Sequence, residues 1–225
     1  MNTPEYAIIV AGGKGTRIKS KIPKQFIELN GLPILMHTIN TFYRYSHSIT
    51  VILVLPSDDM ETWKQLCVRY HFNKPLILQE GGDTRFQSVR KGLMKIEGQG
   101  LVAIHDGVRP LVSQDIIAAS FRLAAVHQSA VAAVRLKESI RITDQDNTKA
   151  MDRSRFRIIQ TPQTFQVELI KRAYEIKEDP SLTDDASVAE RAGHTISLFE
   201  GSYENIKVTT PEDLIIAEAL LKQKS

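Results

Sequence analysis

Short apolar runs alternate with longer amphipathic segments over the first half of the chain. The apolar runs are rich in β-branched residues and predict strands at Tyr6–Val10, Thr50–Leu55, Leu76–Gln79, Leu101–His105 and Ala130–Val134. The segments between them have apolar residues at helical spacing and predict helices at Ile34–Tyr43, Asp59–Tyr70, Arg85–Ile96 and Gln114–Val126. Because apolar strands separated by helices form parallel sheets, this pattern predicts an α/β fold. We expect a Rossmann-like, mostly parallel sheet with helices on both faces.

The pattern changes over residues 137–157, which are mostly polar and hold a turn-like run, Asp144-Gln145-Asp146-Asn147. This segment predicts a β-hairpin that projects from the main sheet as a β-arm. Beyond it, the sequence predicts strands near Gln160–Phe165, Thr195–Phe199 and Asn205–Val208, and helices from Val167, Asp184 and Pro211. Because we find no repeat, low-complexity tract or linker, we expect a single domain over residues 1–225.

The predicted arm has Ile140, Ile142 and Met151 to bury, although it lies outside the sheet pattern. An isolated hairpin is marginally stable in water, so the arm should pack against another surface. A partner related by a twofold axis would provide that surface, and we therefore expect a homodimer with 137–157 as its dimerisation arm. The alternative is an arm that folds back on its own subunit.

Composition narrows the possible functions. Of the 225 residues 42% are hydrophobic, which supports a sizeable core, and the formal net charge of +3 is too small to predict nucleic-acid binding. No apolar run approaches the roughly 18 residues of a membrane-spanning helix. We therefore expect no membrane partner. Cys67 is the only cysteine, so no internal disulfide can form, and we expect a cytoplasmic protein. Between Tyr6 and Ile27 there are five basic residues and no acid, which favours an anionic ligand.

The most informative motif is the glycine-rich run that follows the first predicted strand. Glycines at the carboxyl end of a parallel strand let backbone N–H groups approach phosphate oxygens. Neither a P-loop nor the dinucleotide fingerprint fits, because Gly15 follows Lys14 and Ile18 replaces the third glycine. An ordinary glycine-rich turn remains the alternative. The candidate nucleotide-binding residues are Ala11, Gly12, Gly13, Gly15 and Thr16.

Two cations, Arg17 and Lys24, flank this glycine-rich run. Arg can bind phosphate oxygens bidentately and Lys acts as a compact point charge, so the pair is suited to a triphosphate and to a departing pyrophosphate. A solvated basic loop is the alternative.

Three later segments add candidate site residues. Gly82 and Asp83, with Ser88 one helical turn on, could bind the edge of a base, although Asp83 could equally be a helix cap. Asp106 directly follows a predicted strand and is a natural Mg²⁺ ligand. Arg109 could hold a second phosphate, unless the two residues form a buried ion pair. Lys207 in a predicted apolar strand could reach an anion or could protect a sheet edge.

Seven motifs occur in order over nearly the whole chain: AGGKGTR, PKQF, GGDTR with Ser88, HDGVRP, QTPQTF, TDDAS and NIKVTTPEDL. Together they resemble the cytidylyltransferases that act on sugar-alcohol phosphates, most closely the 2-C-methyl-D-erythritol 4-phosphate family. The resemblance implies that Arg17, Lys24 and Lys207 bind the CTP phosphates and stabilise the transition state. It further implies that Gly82, Asp83 and Ser88 surround the cytosine and that Asp106 lies at the metal and the acceptor. The implied acceptor contacts are Arg109 and Thr183, together with Ser139 and Arg153 from the arm of the other subunit.

The implied reaction transfers CMP from CTP to 2-C-methyl-D-erythritol 4-phosphate with Mg²⁺, releases pyrophosphate and gives CDP-methylerythritol for isoprenoid synthesis by the non-mevalonate route. A ribitol 5-phosphate cytidylyltransferase is the nearest alternative, although the run from Thr183 to Ser187 resembles the methylerythritol enzymes more. Alternatives from other classes are a non-catalytic nucleotide-binding module, which the retained cations disfavour, and a dinucleotide-dependent dehydrogenase, which the broken fingerprint disfavours.

Overall fold

The computed structural model describes residues 3–12, 22–144 and 147–223. The strands in these ranges are β1 (Glu5–Val10), β2 (Glu28–Leu29), β3 (Leu32–Pro33), β4 (Thr50–Leu55), β5 (Ile77–Glu80), β6 (Leu101–Asp106), β7 (Ser129–Arg135), β8 (Ile140–Asp144), β9 (Asn147–Met151), β10 (Arg157–Gln166) and β11 (Leu198–Glu200). The helices are α1 (Ile34–Tyr45), α2 (Ser57–Arg69), α3 (Arg85–Leu93), α4 (Gln114–His127), α5 (Val167–Ala173), α6 (Asp185–Arg191) and α7 (Pro211–Gln223). None of the helices in these ranges is long and apolar enough to cross a membrane.

The main sheet has seven strands in the order β11-β7-β10-β6-β1-β4-β5. β10 is antiparallel to both of its neighbours, whereas the other paired strands are parallel. This arrangement confirms the predicted α/β fold with a mostly parallel sheet. The parallel strands β1, β4, β5 and β6 end at the same edge of the sheet, and this edge carries the candidate site.

Successive residues of the central strands pack into two different cores because side chains alternate across a sheet. Ala7 and Ile9 of β1 pack in a core with α1, α2 and α4. Ile8 and Val10 pack in the opposite core with α3, α5 and α6. The central strands are therefore buried on both faces, which explains their continuous apolar sequences.

Most of the predicted elements are present with small shifts of their ends, but one predicted strand is wrong. Residues 205–208 do not form a strand, because their backbone groups pair with nearby loops instead of a neighbouring strand. The N–H of Asn205 donates to Ser202 and the N–H of Val208 donates to Val108. The predicted strand Thr195–Phe199 is present only as the shorter and later β11.

The predicted arm is present as a hairpin of β8 and β9, which form a separate two-stranded antiparallel sheet. Almost all of its side chains are exposed, and only Ile140 and Met151 at its base are half-buried. Ile142 is 57% exposed. The arm therefore leaves apolar surface uncovered within the described chain.

Candidate active site

The site begins where β1 and β6 end side by side. Val10 is the register partner of Asp106, so the glycine-rich run and the loop after β6 leave the sheet next to each other. Gly107 is required at this contact, because a Cβ on it would lie 2.7 Å from the Cβ of Ala11. The carbonyl of Gly107 also accepts a hydrogen bond of 3.0 Å from the buried hydroxyl of Thr38.

Two open cavities meet at this edge of the sheet. The glycine-loop cavity has a volume of about 70 Å³ and is lined partly by Ala11, Gly12 and Lys24. The Thr183 cavity has a volume of about 280 Å³ and is lined partly by Arg109, Thr161, Thr183 and Asp184. Both are also lined by Arg85, Asp106 and Lys207. These three side chains therefore lie where a ligand in one cavity would meet a ligand in the other.

Part of the predicted phosphate-binding run lies outside the described residues, namely Gly13, Gly15, Thr16 and Arg17. The first two residues of the run, Ala11 and Gly12, are described and line the glycine-loop cavity as the sequence predicts. The N–H of Ala11 donates to the carbonyl of Val54, so the run leaves the sheet from a fixed position.

Lys24 lies on a single turn of 3₁₀ helix, Lys24–Phe26, that α2 anchors. The Nε2 of Gln25 donates to Oδ2 of Asp59 at 2.7 Å, and Phe26 stacks on Trp63 with ring centroids 6.4 Å apart. Gln25 and Phe26 are both buried. The motif PKQF thus uses its last two residues for packing and holds Lys24 beside the cavity.

Asp106 lies among three cations. Its Oδ2 is 3.1 Å from Nζ of Lys207 and accepts a hydrogen bond of 3.2 Å from Nε of Arg109, and its Oδ1 is 3.8 Å from Nε of Arg85. Burial alone would raise the pKa of Asp106, but Lys207, Arg85 and Arg109 together lower it well below its usual range. The carboxylate is therefore ionised at any physiological pH. The Asp106–Arg109 ion pair considered from the sequence is present, and it lies within the cavity rather than away from it.

Lys207 reaches Asp106 from an irregular segment rather than from a strand, so the interpretation as an edge-strand lysine is also wrong. Its side chain is 40% exposed and lines both cavities. It remains available to a bound anion on the side that faces solvent.

Arg85 is the main residue that the sequence analysis did not assign to the site. Its guanidinium forms two hydrogen bonds, of 2.9 and 2.6 Å, with the fully buried carboxylate of Asp185. Burial disfavours the charged form of Arg85, but Asp185 outweighs this effect and raises its pKa. The hydroxyl of Tyr174 also donates to Asp185, at 2.6 Å. Because Asp185 lies 100 residues farther along the chain, no local pattern indicates this pairing, although both residues lie in motifs of the recognised family.

The predicted base-binding turn follows β5 and is held by Ser88. The Gly82 N–H donates to the buried Ser88 hydroxyl at 3.1 Å, and Asp83 is exposed. The alternative role of Asp83 as a helix cap is wrong, because Thr84 caps α3 by accepting from the N–H of Gln87. Ser88 therefore stabilises the turn at Gly82 through this hydrogen bond.

His105 connects the loop of Asp106 to β10. Thr161 lies within 3.0 Å of Nδ1 of His105, and its hydroxyl oxygen accepts the N–H of Asp106 at 3.1 Å. Nε2 of His105 lies 3.3 Å from the carbonyl of Arg109. Burial lowers the pKa of His105 to about 4, so the ring is neutral, and this bonding fixes its proton on Nε2.

The candidate acceptor-binding residues lie in two places. Thr183 lines the Thr183 cavity just before the N-cap of α6, Asp184, which forms a capping box with Ser187. Ser139 and Arg153 are both exposed on the arm, and neither lines either cavity within the described chain. Arg153 donates to the carbonyl of Lys137 across the base of the arm. The structure thus gathers Lys24, Asp106, Arg109, Thr183 and Lys207, but not the two arm residues.

The donor atoms fit a metal only in a limited way. Within the described ranges, no group of three or more His, Cys, Asp and Glu side chains could hold a metal ion. Mg²⁺ often binds one or two carboxylates and takes its remaining ligands from phosphates and water. Asp106 could supply one such carboxylate at the junction of the cavities. The residues therefore fit a Mg²⁺ ion that arrives with a phosphate ligand, and not a resident site made by the protein alone.

A buried carboxylate ringed by cations, at the carboxyl ends of parallel strands and beside a glycine-rich loop, defines a site of the kind that transfers nucleotidyl groups. The chain belongs to the 2-C-methyl-D-erythritol 4-phosphate cytidylyltransferase family, whose sequence model matches residues 6–223. This match confirms the resemblance seen in the seven motifs.

Individual relatives agree over nearly their full lengths. The chain is 45% identical to a 2-C-methyl-D-erythritol 4-phosphate cytidylyltransferase of Bacteroides fragilis over 96% of this chain and 98% of that protein. It is 47% identical to that of Porphyromonas gingivalis, over 98% and 99%. Among solved structures, 4-diphosphocytidyl-2C-methyl-D-erythritol synthase of Anaerococcus prevotii matches with a TM-score of 0.83 at 30% identity, covering 98% of this chain and 96% of that one.

Proposed function

We propose that this protein transfers CMP from CTP to 2-C-methyl-D-erythritol 4-phosphate, releasing pyrophosphate and forming CDP-methylerythritol in the non-mevalonate route to isoprenoids. Family membership over residues 6–223 supports the reaction. The observation that carries the proposal in the structure is Asp106 among Lys207, Arg85 and Arg109, at the junction of two cavities. Such a junction is what a reaction between two phosphorylated substrates requires.

CTP would occupy the glycine-loop cavity. Gly12, with Gly13, Gly15 and Thr16 farther along the run, would present backbone N–H groups to the phosphates. Ala11 would line the cavity at the start of the run, while its own N–H stays bonded to Val54. Lys24, Lys207 and Arg17 would neutralise the charge that develops on the α-phosphate and the departing pyrophosphate. Gly82, Asp83 and Ser88 would form the turn against the base.

The acceptor phosphate would occupy the Thr183 cavity, with Arg109 and Thr183 as contacts. One of its oxygens attacks the α-phosphorus of CTP, a new P–O bond forms, and the bond to the pyrophosphate oxygen breaks with its electron pair. This in-line displacement needs no covalent enzyme intermediate, because holding two anions together among fixed cations lowers the barrier by positioning and by charge stabilisation. Arg85, fixed by Asp185, would keep the junction positively charged.

Mg²⁺ is part of this proposal, with Asp106 as its protein ligand. When bound with CTP, the ion would neutralise phosphate charge and orient the triphosphate. Asp106 is suited to this role because it stays ionised.

We further propose a homodimer in which the arm completes the neighbouring site. Exposed apolar side chains cluster on the arm and at its base, namely Ile142, Phe156, Ile158 and Ile159. A cleft of about 440 Å³ between the base of the arm and β11 offers a surface that a partner could fill. In such a dimer, Ser139 and Arg153 of the partner subunit would contact the acceptor.

The test is a pyrophosphate-release assay with CTP, Mg²⁺ and one acceptor at a time. We expect rapid release with 2-C-methyl-D-erythritol 4-phosphate and little with ribitol 5-phosphate. Faster release with ribitol 5-phosphate would reassign the acceptor, and the absence of release with any polyol phosphate would favour a nucleotide-binding module without catalysis.

A further inference from the structure

Two of the cations on Asp106 come from irregular backbone. Lys207 and Arg109 both contact Oδ2 of Asp106, and neither lies in a helix or strand. After Lys207, the chain is attached through Val208, whose N–H donates to the carbonyl of Val108 at 2.9 Å. Val208 is also fully buried. The chain before Lys207 is held by a second, separate set of hydrogen bonds.

This second attachment is a pair of buried amide side chains, Gln160 and Asn205, which we call the amide clasp. Nε2 of Gln160 donates to the carbonyl of Ser202 at 2.8 Å, and its Oε1 accepts from the N–H of Ser202 at 3.3 Å and from Nδ2 of Asn205 at 3.4 Å. Nδ2 of Asn205 also donates to the carbonyl of Thr161 at 2.8 Å. The two side chains are 5% and 0% exposed.

The loop before Lys207 is shaped to receive the clasp. A Cβ on Gly201 would lie 2.4 Å from Oε1 of Gln160, so a larger residue here would displace this amide. The N–H of Gly201 donates to the carbonyl of Ala133 on β7. The loop is thus held to the main sheet on one side and to the amide of Gln160 on the other.

The clasp also reaches the second cation. Nη1 of Arg109 donates to the backbone carbonyl of Asn205 at 2.7 Å, while its Nε donates to Asp106. Asn205 therefore binds Arg109 directly through its backbone carbonyl, and it lies two residues before Lys207 in the sequence. A shift of the clasp would displace both cations from the same carboxylate oxygen.

We infer that Gln160 and Asn205 are positioning residues, which act through Lys207 and Arg109 by holding them at the junction of the two cavities. Their polar groups are committed to protein partners, apart from Oδ1 of Asn205, which is buried and has no hydrogen-bond partner within the described structure. The kinetic part of the test rests on the proposed cytidylyltransferase reaction.

The first experiment replaces each amide by an apolar side chain of similar size, Gln160→Met and Asn205→Leu. We expect each variant to fold with a Tm lowered by several degrees, because a buried backbone group loses its hydrogen-bond partner. We expect each to lose at least about tenfold in kcat, as for misplaced charge-stabilising groups. Tyr203→Phe is the matched control, because it removes another hydrogen bond of the same loop, to the carbonyl of Arg135, that does not lead to the cations. A similar kcat loss in the control, or none in the clasp variants, would overturn the inference.

A double-mutant cycle separates positioning from general support of the fold. If Gln160 acts through Lys207, then Gln160→Met should cost less than about twofold in kcat once Lys207→Met has been introduced. If it costs the same factor in both backgrounds, Gln160 does not act through Lys207.

A readout that needs no turnover keeps this inference distinct from the proposed function. Lys207 is labelled with acetic anhydride in the free protein and quantified by mass spectrometry, without CTP or acceptor. We expect labelling at least about threefold faster in both clasp variants, because the ion pair with Asp106 that protects the amine is loosened. Unchanged labelling of Lys207 would overturn the inference even if the enzyme is active. Failure of both variants to fold would also overturn it, because the clasp would then be a general structural element.

Discussion

Lys207 Nζ lies 3.1 Å from the same Oδ2 atom of Asp106 that accepts the hydrogen bond from Arg109 Nε. The two cations approach one oxygen from different segments, so the carboxylate holds them at fixed positions before any substrate binds. Preorganised charge of this kind stabilises a transition state without reorganisation during the reaction.

Replacement of the cations should therefore lower turnover more than stability. Lys207→Ala and Lys24→Ala should each lower kcat by about a hundredfold or more, as for the loss of a charge-stabilising donor. The fold should survive, because Lys207 is partly exposed and Lys24 lines an open cavity. Steady-state rates with saturating CTP, together with Tm, measure this. Lys222→Ala, which removes an exposed ion pair with Glu218 on α7, is the control. If Lys207→Ala or Lys24→Ala keeps most of the wild-type activity, the role assigned to that lysine is wrong.

Metal dependence is the second prediction. Activity should require Mg²⁺ and disappear with excess chelator, because a triphosphate among protein cations still carries charge to be neutralised. Asp106→Asn should keep the shape of the side chain but lose most of the activity at every Mg²⁺ concentration. Full activity in excess chelator would contradict the proposed role of Mg²⁺. Near-normal activity of Asp106→Asn would contradict the role of Asp106 as its ligand, but not the need for the metal.

Nucleotide preference is the third prediction. CTP should be strongly preferred to ATP, GTP and UTP, because the compact turn at Gly82 and Asp83 suits a pyrimidine edge. Ser88→Ala should raise the KM for CTP about fivefold, since it removes one ordinary hydrogen bond that supports the turn. Ser113→Ala, which removes the N-cap of α4 away from the site, should not change this KM. Comparable turnover with ATP would contradict the base assignment.

The sheet and the position of Asp106 could be predicted because both depend on local pattern. Apolar runs such as Thr50–Leu55 encode strands buried on both faces, and parallel strands place Asp106 beside the residues after β1. The environment of Lys207 could not be predicted in the same way. Its apolar neighbours Ile206 and Val208 suggest a strand, but they pack with α7 in a small separate core instead.

Contacts between segments that are distant in sequence could not be predicted from the pattern of apolar and polar residues. Arg85 pairs with Asp185, and Gln160 with Asn205, across separations that no helical or strand period links. Asp185, Gln160 and Asn205 are buried, and Arg85 is half-buried. Family motifs mark these residues as part of a pattern, but they do not say which side chain meets which.

The fourth prediction concerns Asp213, which holds the start of α7 next to the Lys207 segment. Its Oδ2 accepts from the N–H groups of Thr209 and Thr210, both at 2.8 Å. Burial would raise the pKa of Asp213, but these hydrogen bonds lower it overall. Because the pKa in the folded state is below that of the unfolded state, the stabilisation is present above about pH 4 and is lost as the pH falls through the lowered value.

Asp213→Asn should therefore lower the free energy of unfolding by about 1 kcal/mol at pH 7, as for the loss of a helix cap, and by less as the pH falls below 4. Urea unfolding of wild type and variant at several pH values measures the difference. Asp115→Asn, at an exposed position in the first turn of α4, is the control. A difference that grows on acidification would contradict the assigned direction.

The final prediction tests the shared sites of the proposed homodimer by subunit complementation. Lys24→Ala chains and Arg153→Ala chains, each inactive alone, are mixed and allowed to exchange. If the arm of one subunit completes the site of the other, each heterodimer has one doubly altered site and one intact site. Random exchange then restores about a quarter of wild-type activity, since half the dimers are mixed and half of their sites are intact. If each chain supplies its own Arg153, every site keeps one alteration and the mixture stays inactive. That result, or a monomer by sedimentation at the assay concentration, would remove the roles proposed for Ser139 and Arg153.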